Sequence, residues 1–272
     1  VSSGWDHPEI RAAVERALAE DVGSGDVTTE ACVPAEQKGA GYFLTREPLV
    51  LAGLPLLSLI YGSDNVTLEA ADGDELPAET VFARVNGLAR DLLTLERTAL
   101  NFLQRTSGVA TMARKFAKAV EGTDCRVLDT RKTTPGLRRL EKLAVVAGGC
   151  YNHRVGLFDA ILIKNNHIAA AGGVRKALER CASSGLPVEI EVRSFAELDE
   201  ALAAGAHHLL LDNFSVEEAR QAVAKAKGKA KTEISGGITL DTVRAYAETG
   251  ADFISAGALT HSAPAVDISF RL

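Results

Sequence analysis

The stretch Pro187–Asp212, PVEIEVRSFAELDEALAAGAHHLLLD, decides the fold. It opens on a β-rich run, Pro187–Val192, passes through a helix-forming segment, and closes on a second run, His208–Asp212. That spacing holds one strand, one helix and two short loops, so the two runs are predicted to lie parallel, joined by a crossover helix. The same rhythm extends both ways, through Arg126–Asp129 and Ala160–Lys164 before it and Thr232–Ser235 and Asp252–Ser255 after it. Six such units fall short of the eight in a complete barrel. On pattern alone an incomplete barrel and an open doubly wound sheet both stand.

Upstream the character changes. Ile10, Ala13, Val14, Ala17 and Leu18 recur at helical spacing over Pro8–Asp21, with Asp6 as the expected cap. Short alternating runs follow at Gly41–Thr45, Leu49–Ala52, Val66–Ala70 and Val81–Val85, separated by turn clusters such as Ala71–Asp74, and predict a small antiparallel sheet. A second amphipathic helix is predicted over Arg90–Arg105, with Arg90, Thr94, Arg97 and Asn101 on its polar face and Gly108 as its stop.

A 272-residue chain that is 46% hydrophobic and 24% charged can bury a full core. Its net charge of −6 argues against a dominant nucleic-acid surface. No apolar stretch approaches the roughly 20 residues of a membrane span, and the amino-terminal residues lack a secretory pattern. A cytoplasmic protein is expected. Cys32, Cys125, Cys150 and Cys181 show no paired spacing for zinc or redox work and are expected to be buried free thiols.

In parallel α/β architectures ligands bind at the carboxyl ends of the strands. Here those ends are polar: Asp129-Thr-Arg131-Lys132, Lys164-Asn-Asn-His167, Glu191, Asp212-Asn213, Ser235-Gly-Gly237 and Ser255-Ala-Gly257. Strand alternation puts Glu189 and Glu191 on one face and Val188, Ile190 and Val192 on the other. Such an acidic face fits an exposed edge strand, or, joined by Asp212, a divalent-cation site facing pyrophosphate. The glycine turns Ser235–Thr239 and Ala256–Thr260 lie between a strand and a helix, where backbone N–H groups can approach a phosphate. Arg131, Lys132, Arg154 and Lys164, with His153 and His167 beside them, suit a polyanionic substrate, and the arginine fork suits carboxylate.

The chain resembles the quinolinate phosphoribosyltransferases, almost from end to end. The likeness runs through Gly25–Thr29, Glu96–Asn101, Asp129–Thr133, Asn152–Arg154, Ile163–His167, Leu211–Asn213, Ile234–Gly237 and Gly257–His261. It implies an amino-terminal α/β sandwich over residues 1–107, joined by the tail 263–272, and an incomplete seven-stranded α/β barrel over 108–262. It also implies a homodimer with shared active sites. The implied reaction is phosphoribosyl transfer from phosphoribosyl pyrophosphate to quinolinate with decarboxylation, giving nicotinate mononucleotide. By the same resemblance Arg97 of the partner subunit, with Thr130, Arg131, Lys132, His153, Arg154 and Lys164, would hold quinolinate. Lys132, Lys164, Glu191, Asp212, Ser235, Gly236, Gly237, Ala256, Gly257 and Ala258 would hold phosphoribosyl pyrophosphate. Lys132, Lys164, Glu191 and Asp212 would be catalytic, the two acids meeting Mg²⁺ either directly or through water.

Two positions depart from the family pattern, Asn165 where an acid is commoner and Arg193 where an acidic or neutral residue is commoner. Three rival functions remain open at this level: a related phosphoribosyltransferase with another substrate, a Schiff-base aldolase or lyase using Lys164, and a non-catalytic sensor of phosphorylated ligands.

Overall fold

The computed structural model describes residues 4–272. In chain order the strands are β1 (Lys38–Thr45), β2 (Leu49–Val50), β3 (Val66–Leu68), β4 (Glu75–Leu76), β5 (Val81–Leu88), β6 (Arg126–Leu128), β7 (Ile161–Ile163), β8 (Val188–Val192), β9 (His208–Asp212), β10 (Lys231–Ser235), β11 (Phe253–Ser255) and β12 (Ile268–Arg271). They divide between two compact units. The first comprises residues up to Arg114, Thr133–Gly149 and Ser262–Leu272; the second comprises Lys115–Lys132 and Cys150–His261.

In the first unit an antiparallel sheet runs in the order β12-β1-β5-β3. The carboxyl-terminal strand β12 pairs along β1 from Tyr42↔Arg271 to Thr45↔Ile268, so the tail is an integral edge of this sheet. Leu49 and Val50 are not part of it; they pair with β4 as a separate two-stranded ladder. Phe43 and Phe82 are fully buried, and Phe43 also packs against Tyr61 and Phe270, with ring centroids 6.2 and 4.9 Å away. The first helix, Pro8–Val22, is capped by His7, whose Nδ1 accepts the Glu9 N–H, and not by Asp6.

The second helix runs Ala89–Ala119, through the stop expected at Gly108 and across the domain boundary expected after residue 107. Gly108 serves close approach: a Cβ there would collide with the Pro264 carbonyl. Residues 133–149 belong to the first unit, and an ion pair helps tie them to it. The fully buried Glu141 takes Arg105 Nη2 at 2.7 Å and Thr134 Oγ1 at 2.6 Å. Cys125 and Cys150 are buried as expected, but Cys32 is exposed, at the end of the short helix Val27–Cys32, and Cys181 is half-buried.

The second unit is a parallel sheet in the order β6-β11-β10-β9-β8-β7. The first strand pairs with the last, Ser255↔Leu128, and the other neighbours follow chain order. An open sheet wound in sequence would hold those two strands farthest apart, so this one curls into a barrel. The barrel is interrupted between β6 and β7. There the seventh strand is reduced to Tyr151, which forms a single parallel bridge to Leu128. Ile190, Val192, Leu209, Leu211, Ile234 and Ile254 face outward and are fully buried. The alternate residues point inward, and many are polar.

Candidate active site

Those inward residues and the loops above them line a cavity of about 340 Å³. On β8 the face carrying Glu189 and Glu191 is interior, each residue 5% exposed, so the strand is not an exposed edge. β9 adds His208, Leu210 and Asp212, and β10 adds Glu233 and Ser235, through the same two-residue alternation.

At the bottom His153, Glu189, Glu233 and His208 meet. His153 Nε2 lies 3.0 Å from Glu189 Oε2 and 3.5 Å from Glu233 Oε1; His208 Nε2 lies 3.4 Å from Glu189 Oε1. His153 Nδ1 accepts the Arg154 N–H at 2.7 Å, which assigns the ring proton to Nε2, where it faces Glu189. Burial, then the charge of Glu189, pushes the Glu233 carboxyl up to about 8, so it keeps its proton at neutral pH. Burial also raises Glu189 and lowers His208.

Above this layer the acids meet cations. Glu191 Oε2 lies 3.3 Å from Lys164 Nζ, and its Oε1 lies 3.2 Å from Arg193 Nη2. Arg193 Nε lies 3.2 Å from Asp212 Oδ2, so one guanidinium spans both carboxylates.

The basic wall is held by buried anchors. Asp129, fully buried, accepts the His153 N–H at 2.8 Å, tying residues 152–154 to the end of β6. Arg154 Nη1 donates to the Ala160 carbonyl at 3.2 Å. Burial, and then the positive charge of Arg131, lowers the Arg154 pKa. Two neighbouring guanidiniums suit an anion between them. The Lys132 N–H donates to Thr130 Oγ1, and its carbonyl takes the Thr260 hydroxyl at 2.7 Å.

The third element is the turn after β10. Gly236 and Gly237 have φ of 104° and 61°, values that glycine adopts without strain. A Cβ on Gly236 would collide with the Asn213 side chain, and Asn213, itself at φ 61°, donates its N–H to the Ser235 carbonyl. The backbone N–H groups of Gly236, Gly237 and Ile238 donate to no partner among the described residues. They form an open cradle for an anion.

Of the residues singled out in the sequence, Thr130, Arg131, Lys132, His153, Arg154, Lys164, Glu191, Asp212, Ser235, Gly236 and Gly237 all line this one cavity. Ala256, Gly257 and Ala258 do not. Gly257 instead leaves room for its neighbours: a Cβ there would come within 2.9 Å of the His261 ring and 3.1 Å of Lys132 Cδ. Arg97 is exposed on the helix Ala89–Ala119 of the first unit and is not among the lining residues. His167 is exposed, with Nδ1 accepting the Lys164 N–H at the start of the helix Asn165–Ala171. Asn213 and Ser255, polar strand ends already marked in the sequence, line the cavity too, and Glu233, Leu162 and Leu210 line it without having been anticipated. The Glu233 signal was present: Thr232-Glu-Ile-Ser235 alternates as Val188–Val192 does, and its polar face includes Glu233 and Ser235.

Comparison with known proteins gives matches along most of the chain. Residues 26–107 match the family model described as quinolinate phosphoribosyl transferase, N-terminal domain, and 109–271 match the C-terminal domain. The nicotinate-nucleotide pyrophosphorylase [carboxylating] of Mycobacterium leprae is 44% identical over 274 residues, covering 96% of each protein. The probable enzyme of the same name from Bacillus subtilis is 39% identical, covering 97% of this chain and 93% of the relative. The solved structure of the nicotinate-nucleotide pyrophosphorylase from Francisella tularensis superposes with a TM-score of 0.93 at 39% identity, covering 100% and 99% of the two chains.

Proposed function

The chain belongs to the quinolinate phosphoribosyltransferase family, and on that premise we propose how its cavity divides the family's reaction among its residues. The protein is a phosphoribosyltransferase of NAD biosynthesis that forms nicotinate mononucleotide from quinolinate with loss of carbon dioxide. Its second substrate is phosphoribosyl pyrophosphate. The observation that carries the assignment of roles is the separation of charge within one cavity. A pair of guanidiniums stands on one wall, a pair of carboxylates on another, and an open backbone turn beside them.

Arg131 and Arg154 are the fitting receptors for the two quinolinate carboxylates, since a guanidinium fork matches carboxylate geometry. His153 has both ring nitrogens engaged, so it fixes Arg154 and the wall, and presents its ring to the substrate. Lys132 and Lys164 extend the positive surface toward the phosphates. The turn Ser235-Gly236-Gly237 receives the 5′-phosphate through its backbone N–H groups.

Glu191 and Asp212 are the residues that would hold Mg²⁺. Both offer the hard oxygens such an ion prefers, and buried Glu191 Oε1 accepts no hydrogen bond. An ion held there would supply Lewis-acid neutralisation of pyrophosphate charge. The chain's own contribution is placement. It brings the pyridine nitrogen in line with the ribose anomeric carbon and keeps two polyanions together long enough to react. The nitrogen bonds to that carbon as the bond to pyrophosphate breaks. The carboxyl group beside the quaternised nitrogen then leaves as carbon dioxide; its electron pair stays on that ring carbon, stabilised by the adjacent positive nitrogen, until a proton from solvent completes the carbon–hydrogen bond. No proton need be removed in the bond-forming step, and preorganised positive charge dominates.

Activity with quinolinate, phosphoribosyl pyrophosphate and Mg²⁺, accompanied by release of carbon dioxide, is the expected result, with nicotinate tested as competitor. Turnover of nicotinate alone would sink the substrate assignment. The lyase reading requires Lys164 as an amine nucleophile in an apolar or cationic pocket. Lys164 is instead half-exposed and paired with Glu191, and borohydride is expected to trap no adduct. The protein acts as a homodimer in which exposed Arg97 reaches the partner's quinolinate.

A further inference from the structure

The Arg193 guanidinium lies across the pair of carboxylates assigned to the metal. Arg193 sits one residue beyond β8, and its backbone N–H donates to Glu197 Oε2 at 2.7 Å, which anchors its main chain near the helix Phe195–Ala203. The side chain turns back over the sheet to reach Glu191 Oε1 and Asp212 Oδ2, each at 3.2 Å. With Lys164 at 3.3 Å from Glu191, two positive charges face two negative ones. The acidic pair is already neutralised.

The Arg193–Glu191 contact is an ion pair without hydrogen-bond alignment, since Glu191 Oε1 accepts no hydrogen bond. The Arg193 side chain is 48% exposed, so it can leave without opening the core. An aligned, bidentate arginine–carboxylate pair would be far harder to displace. A divalent cation arriving alone must either evict Arg193 into water or leave two excess positive charges against Lys164 and Arg193. A divalent cation arriving on a pyrophosphate brings compensating negative charge, and the displaced guanidinium gains an anionic partner.

Resting on the assignment of Glu191 and Asp212 to the metal, we infer that Arg193 is a resident counter-cation that closes this pair to free divalent metal and yields only to metal arriving with phosphoribosyl pyrophosphate. The consequence is an order of loading: the free enzyme holds little metal, and the substrate carries its own.

Mn²⁺ provides the measurement, because its solution EPR signal falls as it binds protein, independently of turnover. The full chain is titrated with Mn²⁺ alone and with Mn²⁺ plus phosphoribosyl pyrophosphate, quinolinate being omitted. Arg193→Gln is expected to bind Mn²⁺ alone at least tenfold more tightly than the unmodified protein. Adding Glu191→Gln to that variant is expected to remove the gain. With phosphoribosyl pyrophosphate present, the difference between the unmodified protein and Arg193→Gln is expected to shrink. Equal affinity for Mn²⁺ alone, with substrate-dependent recruitment still abolished by Glu191→Gln, overturns the role of Arg193 and leaves the metal assignment standing. Recruitment unaffected by Glu191→Gln overturns the metal assignment itself. Because Arg193 is half-exposed, its replacement is expected to leave the melting curve unchanged, which separates a binding effect from misfolding.

Discussion

Arg131 and Arg154 stand close enough for the charge of one to lower the pKa of the other, a repulsion that an anion between them relieves. On the proposed assignment, removing Arg131 takes away a preorganised donor where substrate charge would gather. Arg131→Ala is expected to lose about 3 kcal/mol of transition-state stabilisation, roughly a hundredfold in kcat/KM. Steady-state kinetics check it, and near-normal activity would contradict the carboxylate assignment. Glu233 makes a different prediction, about stability. Its folded pKa, about 8, lies above that of a free carboxyl group, so the folded state holds a proton that the unfolded state releases. The stability it contributes is therefore present at low pH and lost as pH rises toward 8. Glu189, also raised, acts in the same sense, while His208, lowered, acts in the opposite sense below the ordinary histidine pKa of about 6.5. The interval from about pH 6.5 to 8 isolates the carboxyl effect. There the unmodified protein is expected to melt at falling temperatures as pH rises, and Glu233→Gln is expected to flatten that slope. Parallel slopes would show that Glu233 is ionised in the fold. Cations at strand ends were legible in the sequence because such positions carry ligands. Glu233 was not read although it shares a polar strand face with Ser235, because what gives it weight, Glu189 and His153 beside it, is set only by the fold.

The six parallel strands were readable because each is a short β-rich run with a helical segment beyond it, and all six are present. The carboxyl-terminal strand β12 was foreseen only through family likeness. Four residues carry no periodicity of their own, and β12 is a strand because β1 presents a free edge to it. The seventh barrel strand is a lone bridge at Tyr151, too short for any pattern. Gly108 exposes the limit of local rules. Glycine at a helix end is a good stop signal, yet here the helix passes through it because Pro264 occupies the space a side chain would need. Two effects oppose each other in Gly108→Ala. Helix propensity favours alanine by about 1 kcal/mol. Overpacking against backbone that cannot rotate away costs about 1–3 kcal/mol. Because the collision is with a carbonyl and not with a flexible side-chain tip, overpacking is expected to win and the melting temperature to fall by several degrees. A higher melting temperature would mean that the segment around Pro264 gives way. At Gly236, in the turn after β10, no such opposition arises: positive φ and the collision with Asn213 both disfavour a side chain.

At the scale of the whole molecule Arg97 stands apart from the other residues proposed for quinolinate. Every residue assigned to quinolinate except Arg97 lines the cavity of the second unit, and Arg97 projects from a helix of the first. Arg97 is exposed, in a Glu96-Arg-Thr-Ala-Leu-Asn101 segment whose apolar positions face the core, so its guanidinium stands free to meet a second copy. If Arg97 completes the site of that copy, a chain defective in Arg97 and a chain defective in Lys132 fail for complementary reasons. In a mixed dimer, the site built on the intact Lys132 receives the intact Arg97 from its partner, and the other site carries both defects. Equal mixing with free exchange makes about half the dimers mixed, each with one complete site. Mixing inactive Arg97→Ala with inactive Lys132→Ala is therefore expected to restore up to about a quarter of normal activity. Recovery should appear at the rate at which subunits exchange, which native mass spectrometry of the two masses follows directly. If Arg97 served its own subunit, each mixed dimer would contain two singly defective sites and recover nothing. Absence of recovery, with mixed dimers seen to form, would place Arg97 outside the partner's site and leave the cavity with only the cations that line it.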